Sequence, residues 1–345
     1  MKLRTRRRLI VSVIVLALFG AIAYGLKGQI RSALESLAGN DFAGPGSGSV
    51  TLVIQQGETG STVISELVSL GVVKSERYTT RLASDEGVVF YPGTYSLKSG
   101  MRSIDALKVL SSPNNALAHH VTIKEGLRLS SVFAVLSKKT GLPESDFAAA
   151  AKRLSDFRTG KGAPSLEGYL FPATYDFGPE LSAKQILQVM NDRMVTELES
   201  FSVAEKDWHR VLTLAGLIQA EARQTQDFYK VSRVFLNRIA SGMKLQSDAT
   251  VSYGVNGKTV NTTAADRANP NGYNTYVHAG LPIGPISAPG HVAIDAALHP
   301  AAGSWIYFCA VNLETGETWF STTYAEHARA VAAWRAWMKE HPGYE

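Results

Sequence analysis

Residues 207–224 read DWHRVLTLAGLIQAEARQ, and their apolar side chains recur with the period of an α-helix. The side chains at i, i+3, i+4 and i+7 of this run share one helix face: Leu214, Leu217, Ile218 and Glu221. The spacing therefore predicts a helix over 207–224 that packs into a core and carries a carboxyl group on its apolar face.

The chemistry of this helix depends on Glu221. A carboxyl group on an apolar face is costly to ionise, so its pKa is expected to rise. A glutamic acid that stays protonated near neutral pH is suited to protonate a glycosidic oxygen as a general acid. The spacing also fits a partly exposed ion pair at a helix end, because Arg223 follows two residues later.

A second helix is predicted over 228–240, closed by Ser241-Gly242. Residues 243–289 then change character, with many uncharged hydrogen-bonding side chains, Gly and Pro and little periodicity. Such a long irregular stretch is unusual in a compact domain unless it is functional or disordered. Its aromatic residues and prolines argue against disorder. Amides, hydroxyls and tyrosines suit a neutral, polyhydroxylated ligand better than a phosphate or a metal.

The basic charge of the chain comes from its N-terminus. The 345 residues include 35 Lys+Arg and 30 Asp+Glu, a net charge of +5. Five of the cations lie within residues 1–8, and without them 30 positive residues face 30 negative ones. The charge therefore does not indicate nucleic-acid binding. A single cysteine, Cys309, excludes an internal disulfide framework and a cysteine-based metal site.

Residues 9–26 form an uncharged, apolar run of 18. As a helix it would span about 27 Å, close to the hydrocarbon thickness of a bilayer. The basic residues before it predict a single-pass protein of the inner (cytoplasmic) membrane, with its N-terminus cytoplasmic and the remainder extracytoplasmic. The small-residue run Ala21-Ile22-Ala23 leaves a cleaved signal peptide as the alternative.

An internal repeat with an offset of 69 residues follows a Gly/Ser-rich linker. The segment from Val53 to Leu67 recurs from Thr122 to Leu136, and each copy predicts a strand, a turn with Gly, a helix cap at Ser61 or Ser130, and an amphipathic helix. Two copies are too few for a solenoid and favour small βα units in an α+β module. Chance similarity between such units is the alternative.

The chain resembles the YceG-like (MltG) family of membrane-anchored endolytic murein transglycosylases over about residues 50–335. The motifs that carry the resemblance occur in the family's order: Glu125–Ser130, Glu167–Tyr175, Leu217–Ala222, Val234–Arg238, Met243–Gly254, Tyr273–Tyr276, Gly280–Ile286, Pro289-Gly290, Ala296–Pro300, Trp305–Val311 and Phe320–His327. Each motif alone is a weak signal, whereas several in order are a strong one.

The resemblance implies that Glu221 is the catalytic acid. The family usually carries a second glutamate two residues earlier, where this chain has Gln219, and often an Asp where it has Ala173. The resemblance also implies an α+β fold and glycan contact by a LysM-like module. The interpreted segments are a cytoplasmic basic tail (1–8), a transmembrane helix (9–26), a flexible linker (27–49), a LysM-like module (50–118), a second βα unit with a helical connecting region (119–205) and a catalytic domain (206–345).

The implied reaction needs one carboxyl group. Glu221 first protonates the glycosidic oxygen between MurNAc and GlcNAc, then accepts the proton of the MurNAc C6 hydroxyl as that oxygen attacks C1 and forms a 1,6-anhydro end. Two-carboxylate glycosidases instead activate water. Asp248 is the nearest candidate in sequence for a second acid. The alternatives are that it stabilises the positive charge of the oxocarbenium-like state or that it only helps to form a turn.

The proposed substrate-binding residues are polar or aromatic side chains that either position sugar or fix loops: Asn237, Gln246, Asp248, Tyr253, Tyr273, Asn274, Tyr276 and Glu167. No Walker loop, Rossmann fingerprint or His-Glu-x-x-His motif occurs in the sequence, so neither a cofactor nor a metal is implied. The expected partners are peptidoglycan glycan strands, the membrane through residues 9–26 and, from the resemblance, peptidoglycan synthases beside which nascent glycan length is limited.

Two other functions remain open at this point. A hydrolase would use water, with Asp248 as the base. A non-catalytic, membrane-anchored peptidoglycan-binding scaffold would use the repeat module alone, and it gives no reason for a carboxyl group on the apolar face at Glu221.

Overall fold

The computed structural model describes residues 39–257 and 262–343 and places them in α+β structure, which confirms the predicted fold class. The described chain divides into unit 1, residues 39–118 with 178–180, and unit 2, residues 119–177 with 181–343. The predicted membrane helix over 9–26 lies outside the described residues. Within those residues no helix is both long and apolar enough to cross a membrane. The LysM-like identity of the first module stays a prediction.

Unit 1 is built on an antiparallel pair of strands in which Leu52 lies opposite Tyr95. Both side chains are fully buried, in one core with the helices. The strand pair starts at Ser47, three residues before the predicted module. The elements are β1 (Ser47–Ile54), α1 (Gly60–Ser69), α2 (Glu76–Asp85), β2 (Gly93–Ser99), α3 (Ser103–Leu110) and a 3₁₀ turn (Pro113–Asn115).

Unit 2 contains one core to which residues on both sides of the interpreted boundary at 205/206 contribute. Its first strand pairs antiparallel with its second, and its third with its fourth. The elements are β3 (His119–Thr122), α4 (Leu129–Thr140), α5 (Glu144–Ala151), a 3₁₀ turn (Leu154–Asp156), β4 (Thr174–Phe177), α6 (Ala183–Ser200), α7 (Glu205–Glu221), α8 (Thr225–Ala240), α9 (Asp248–Gly254), α10 (Ala264–Ala268), α11 (His291–Leu298), β5 (Tyr307–Ala310), β6 (Thr318–Ser321) and α12 (Tyr324–Glu340).

The sequence repeat corresponds to β1–α1 and β3–α4, one copy in each unit. The turn glycines Gly57 and Gly126 both have positive φ, +82° and +76°, a conformation that glycine adopts without steric cost. The predicted serine caps were wrong, because each serine lies one residue inside its helix. Thr59 caps α1 by accepting a hydrogen bond from the Thr62 N–H. The N-cap residue of α4 is Arg128, and its side chain makes no capping hydrogen bond.

Helix α7 is a central element of unit 2 because it is buried without interruption from Val211 to Ile218, a run that includes Leu214 and Leu217. Fully burying one such side chain stabilises a fold by about 1.5–3 kcal/mol. The helix ends at Glu221, three residues before the predicted end, since Ala222 has extended backbone angles. Helix α8 correspondingly begins at Thr225 rather than at 228. Glu221 thus lies at the corner between the two helices.

Candidate active site

Glu221 lies in the wall of a cavity of about 470 Å³, called here the acid cavity. Burial is the largest effect on its carboxyl group and raises its pKa, and the charge of nearby Asp248 raises it further. The Ser247 hydroxyl donates a hydrogen bond to Glu221 Oε1 at 2.5 Å, which lowers the pKa, as do the charges of Arg238 and Arg223. A carboxyl group held in this balance is able both to donate and to accept a proton.

The loop before α9 brings Ser247 to the acid. The buried Thr275 hydroxyl accepts a hydrogen bond from the Ser247 N–H at 3.0 Å, and the Thr275 carbonyl accepts one from the Gln246 N–H at 3.2 Å. Gln246 has a φ of +51°, a conformation that costs a non-glycine residue free energy. The surrounding hydrogen bonds hold the loop in this conformation, which turns the Ser247 side chain toward Glu221.

Asp248, the first residue of α9, also lines the acid cavity. Its Oδ1 accepts a hydrogen bond from the Thr262 hydroxyl at 2.6 Å, and the Tyr276 hydroxyl also bonds to its carboxylate. Burial and this carboxylate raise the pKa of Tyr276 to about 12, so the phenol stays a hydrogen-bond donor. The arrangement places the Asp248 carboxyl group beside that of Glu221.

An aromatic wall completes the acid cavity. The ring of His327 stacks on Tyr307 with centroids 5.0 Å apart, and Tyr324 contacts both rings. Burial lowers the pKa of His327, which favours the neutral form of its ring. These three residues were not among the predicted binding residues, because Tyr307, Tyr324 and His327 lie far from Glu221 in sequence and only the fold brings them to it.

A second cavity of about 980 Å³, the tyrosine cavity, is lined by Glu167, Tyr253 and Tyr273. The Tyr253 and Tyr273 rings lie 4.7 Å apart at an angle of 60°. Six of the eight predicted binding residues are therefore divided between the two cavities, with Gln246, Asp248 and Tyr276 in the acid cavity. Sequence spacing gives no sign of this division.

Asn237 and Asn274 line neither cavity. The fully buried Asn274 donates its side-chain amide to the carbonyls of Arg267 and Asn269 at 3.0 and 2.6 Å. Asn237 donates to the carbonyls of Gly303 and Trp305 at 3.1 and 2.9 Å. Both amides hold backbone segments in place, the loop-fixing alternative that the sequence left open for them.

Glu167 connects the tyrosine cavity to α4. Its carboxylate accepts hydrogen bonds from the Leu129 N–H at 2.9 and 3.1 Å and from the Tyr253 hydroxyl at 3.1 Å. It thus satisfies the first N–H of α4, which explains why that helix needs no cap from its own sequence neighbours. The side chain is 3% exposed, and burial raises its pKa to about 7.

The pKa of Glu167 predicts a pH-dependent stability. The pKa of Glu167 is higher in the folded state than in the unfolded state, so the protonated side chain stabilises the fold. This stabilisation is complete below the unfolded-state pKa of 4.5 and is lost as the pH rises through about 7. Wild type should lose up to about 3 kcal/mol relative to Glu167→Gln across this window. Chemical denaturation at mildly acidic and mildly alkaline pH measures the difference. Glu144→Gln, at an exposed position in α5, is the control, and equal pH responses of the two variants would contradict the assignment.

The chain matches the YceG-like family over residues 52–333. The chain belongs to this family. The endolytic murein transglycosylase of Bacillus subtilis (strain 168) is 31% identical over 304 residues, covering 81% of this chain and 83% of the relative. That of Streptococcus pneumoniae serotype 2 (strain D39 / NCTC 7466) is 25% identical over 82% of this chain, which spans 58% of the pneumococcal protein.

A solved structure agrees with the family assignment. The crystal structure of a putative YceG-like protein from Listeria monocytogenes is 29% identical, has a TM-score of 0.53, and covers 82% of this chain and 99% of its own. The resemblance inferred from the ordered motifs is therefore confirmed.

Proposed function

We propose that this YceG-like protein is a membrane-anchored, endolytic lytic transglycosylase that cuts the MurNAc–GlcNAc β-1,4 bond of peptidoglycan strands. The names of its relatives support the enzyme class and the peptidoglycan substrate. The observation that carries the proposal is the half-buried Glu221 at the end of α7, whose carboxyl group lines the acid cavity and has a pKa raised by its surroundings. A raised pKa favours the protonated form that the first step needs.

In the proposed mechanism, Glu221 donates its proton to the glycosidic oxygen, and the bond to C1 breaks. The carboxylate that remains accepts the proton of the MurNAc C6 hydroxyl, whose oxygen bonds to C1 and closes the anhydro ring. Asp248 stabilises the positive charge that develops on the sugar ring, and Ser247 steadies the carboxylate between the two steps. The glycosidic oxygen leaves as a hydroxyl group, so water is not consumed.

The anchor, the glycan contacts of unit 1 and the synthase partners are parts of the same proposal. Residues 9–26 would hold the enzyme at the inner membrane with its catalytic residues outside the cytoplasm. There it would shorten nascent strands beside the synthases that extend them.

The proposal is tested by incubating the full-length protein in detergent with uncrosslinked glycan strands and identifying the products by mass spectrometry. Medium-length fragments with 1,6-anhydroMurNAc ends are expected, because an endolytic enzyme cuts within the strand. Bound but uncut strands would overturn the proposal and favour the scaffold.

Replacing Asp248 with asparagine should shift the pH dependence of cleavage. The Asp248 charge raises the pKa of Glu221, so Asp248→Asn lowers it, and the acid loses its proton at a lower pH. The alkaline limb of the pH–rate profile is therefore expected to move toward acidic pH, together with a lower maximal rate. Asp207→Asn, near the other end of α7, is the control. An unchanged alkaline limb in Asp248→Asn would contradict this coupling.

A further inference from the structure

The acid cavity and the tyrosine cavity, both in unit 2, share two lining residues, Ala220 and Ala249. Ala220 directly precedes the acid Glu221, and Ala249 directly follows Asp248. Both residues that the cavities share have only a methyl side chain, and Ala220 is exposed. An extended ligand meets little steric obstruction at this boundary.

The tyrosine cavity offers the surfaces that amino sugars need. The half-buried side chains of Tyr253 and Tyr273 line it, and aromatic rings suit the C–H surface of a pyranose. Exposed polar side chains, among them Ser131 and Asn256, line its rim and supply hydrogen bonds for hydroxyl and acetamido groups. These groups suit a neutral sugar.

Arg128 is the cationic residue that lines this cavity, and its side chain already makes hydrogen bonds within the protein. The Arg128 guanidinium donates hydrogen bonds to the Gly257 carbonyl at 2.8 Å and to the Ser252 hydroxyl at 3.1 Å. Its central carbon also lies 5.3 Å from the centroid of the Tyr253 ring. The hydrogen bonds of Arg128 are thus made within the wall of the cavity that it lines, which favours a neutral glycan over an anionic ligand.

We propose that the two cavities form one glycan-binding cleft that is continuous across Ala220 and Ala249, and that the tyrosine cavity binds the longer part of the strand on one side of the cut bond. The inference rests on the proposed function. The longer part of the strand is assigned to the tyrosine cavity because the volume of this cavity, about 980 Å³, is roughly twice the 470 Å³ of the acid cavity.

The test measures strand affinity against strand length, with Glu221→Gln as a non-cutting background and uncrosslinked strands lengthened one disaccharide at a time. Affinity should rise with length until both cavities are filled. Adding Ala249→Leu, which places a bulky side chain at the boundary, should stop this rise early and weaken the longest strands by about tenfold while sparing the shortest. Ala240→Leu, at the exposed end of α8 and outside both cavities, should follow the background.

A second variant tests the same cleft in case Ala249→Leu does not fold. Ser131→Trp, at an exposed position on the rim, obstructs the tyrosine cavity alone and should also weaken only the longer strands. If both variants keep the length dependence of the control, the continuous cleft is overturned, although a cutting wild type would still support the proposed function. If wild-type protein cuts no strands, the proposed function itself fails.

Discussion

Glu221→Gln is expected to slow strand cleavage by about 10²–10⁴-fold, the range that general acid–base catalysis contributes. Glutamine keeps the size of the side chain and can still accept the Ser247 hydrogen bond, but it cannot donate or accept the catalytic proton. Strand binding should therefore survive. The rate is measured as the appearance of new fragment ends under single-turnover conditions, with binding measured separately on the same strands.

The control is Glu205→Gln, an exposed glutamate at the first position of the same helix, which should leave the rate unchanged. Glu221→Asp adds a second comparison, because it keeps the acid but withdraws it by one methylene from Ser247. It is expected to retain more activity than Glu221→Gln. Wild-type rates in Glu221→Gln would mean that another group carries the proton.

A large loss of stability is expected on substitution of Gly168, beside Glu167. Its φ is +78°, and an added Cβ would lie 2.4 Å from the Pro285 Cβ and 3.4 Å from the Ser287 carbonyl oxygen. A left-handed non-glycine residue costs about 1–2 kcal/mol, and overpacking adds about 1–3 kcal/mol. Gly168→Ala should therefore lower the free energy of unfolding by about 2–5 kcal/mol.

Gly280→Ala is the matched control for this prediction. Gly280 has a similar φ of +84°, but no atom lies near the position of an added Cβ, so only the conformational cost applies. Chemical denaturation of both variants separates the two effects. Equal losses would mean that the close approach between Gly168 and Pro285 does not constrain the fold.

The position of Glu221 on the apolar face of α7 was predictable from the helical period, whereas its role as the acid was implied by the family resemblance. Leu214, Leu217 and Ile218 are buried as the spacing predicts, and Glu221 continues their face. The end of the helix was missed, because no glycine or proline follows Glu221 to mark it. The corner arises instead from the extended backbone at Ala222.

The surroundings of the acid were less predictable, since they depend on contacts between distant segments. Ser247 lies within a recognised motif, but only the bonds to Thr275 turn its hydroxyl toward Glu221. Asn274 belongs to the same group of polar residues, yet it is fully buried and holds a loop. Sequence gives residue types that suit sugar, whereas the fold decides which of them face a cavity.

The most direct test of the proposed mechanism is to determine where the oxygen atom at the new strand end comes from. Cleavage by the full-length protein in water enriched in ¹⁸O, followed by mass spectrometry, distinguishes attack by the C6 hydroxyl from attack by water. The single-acid mechanism of Glu221 predicts an anhydro end that contains no heavy oxygen and is lighter than a reducing end by one water molecule. Reducing ends that carry ¹⁸O would contradict it and would make Asp248 the candidate base of a hydrolase.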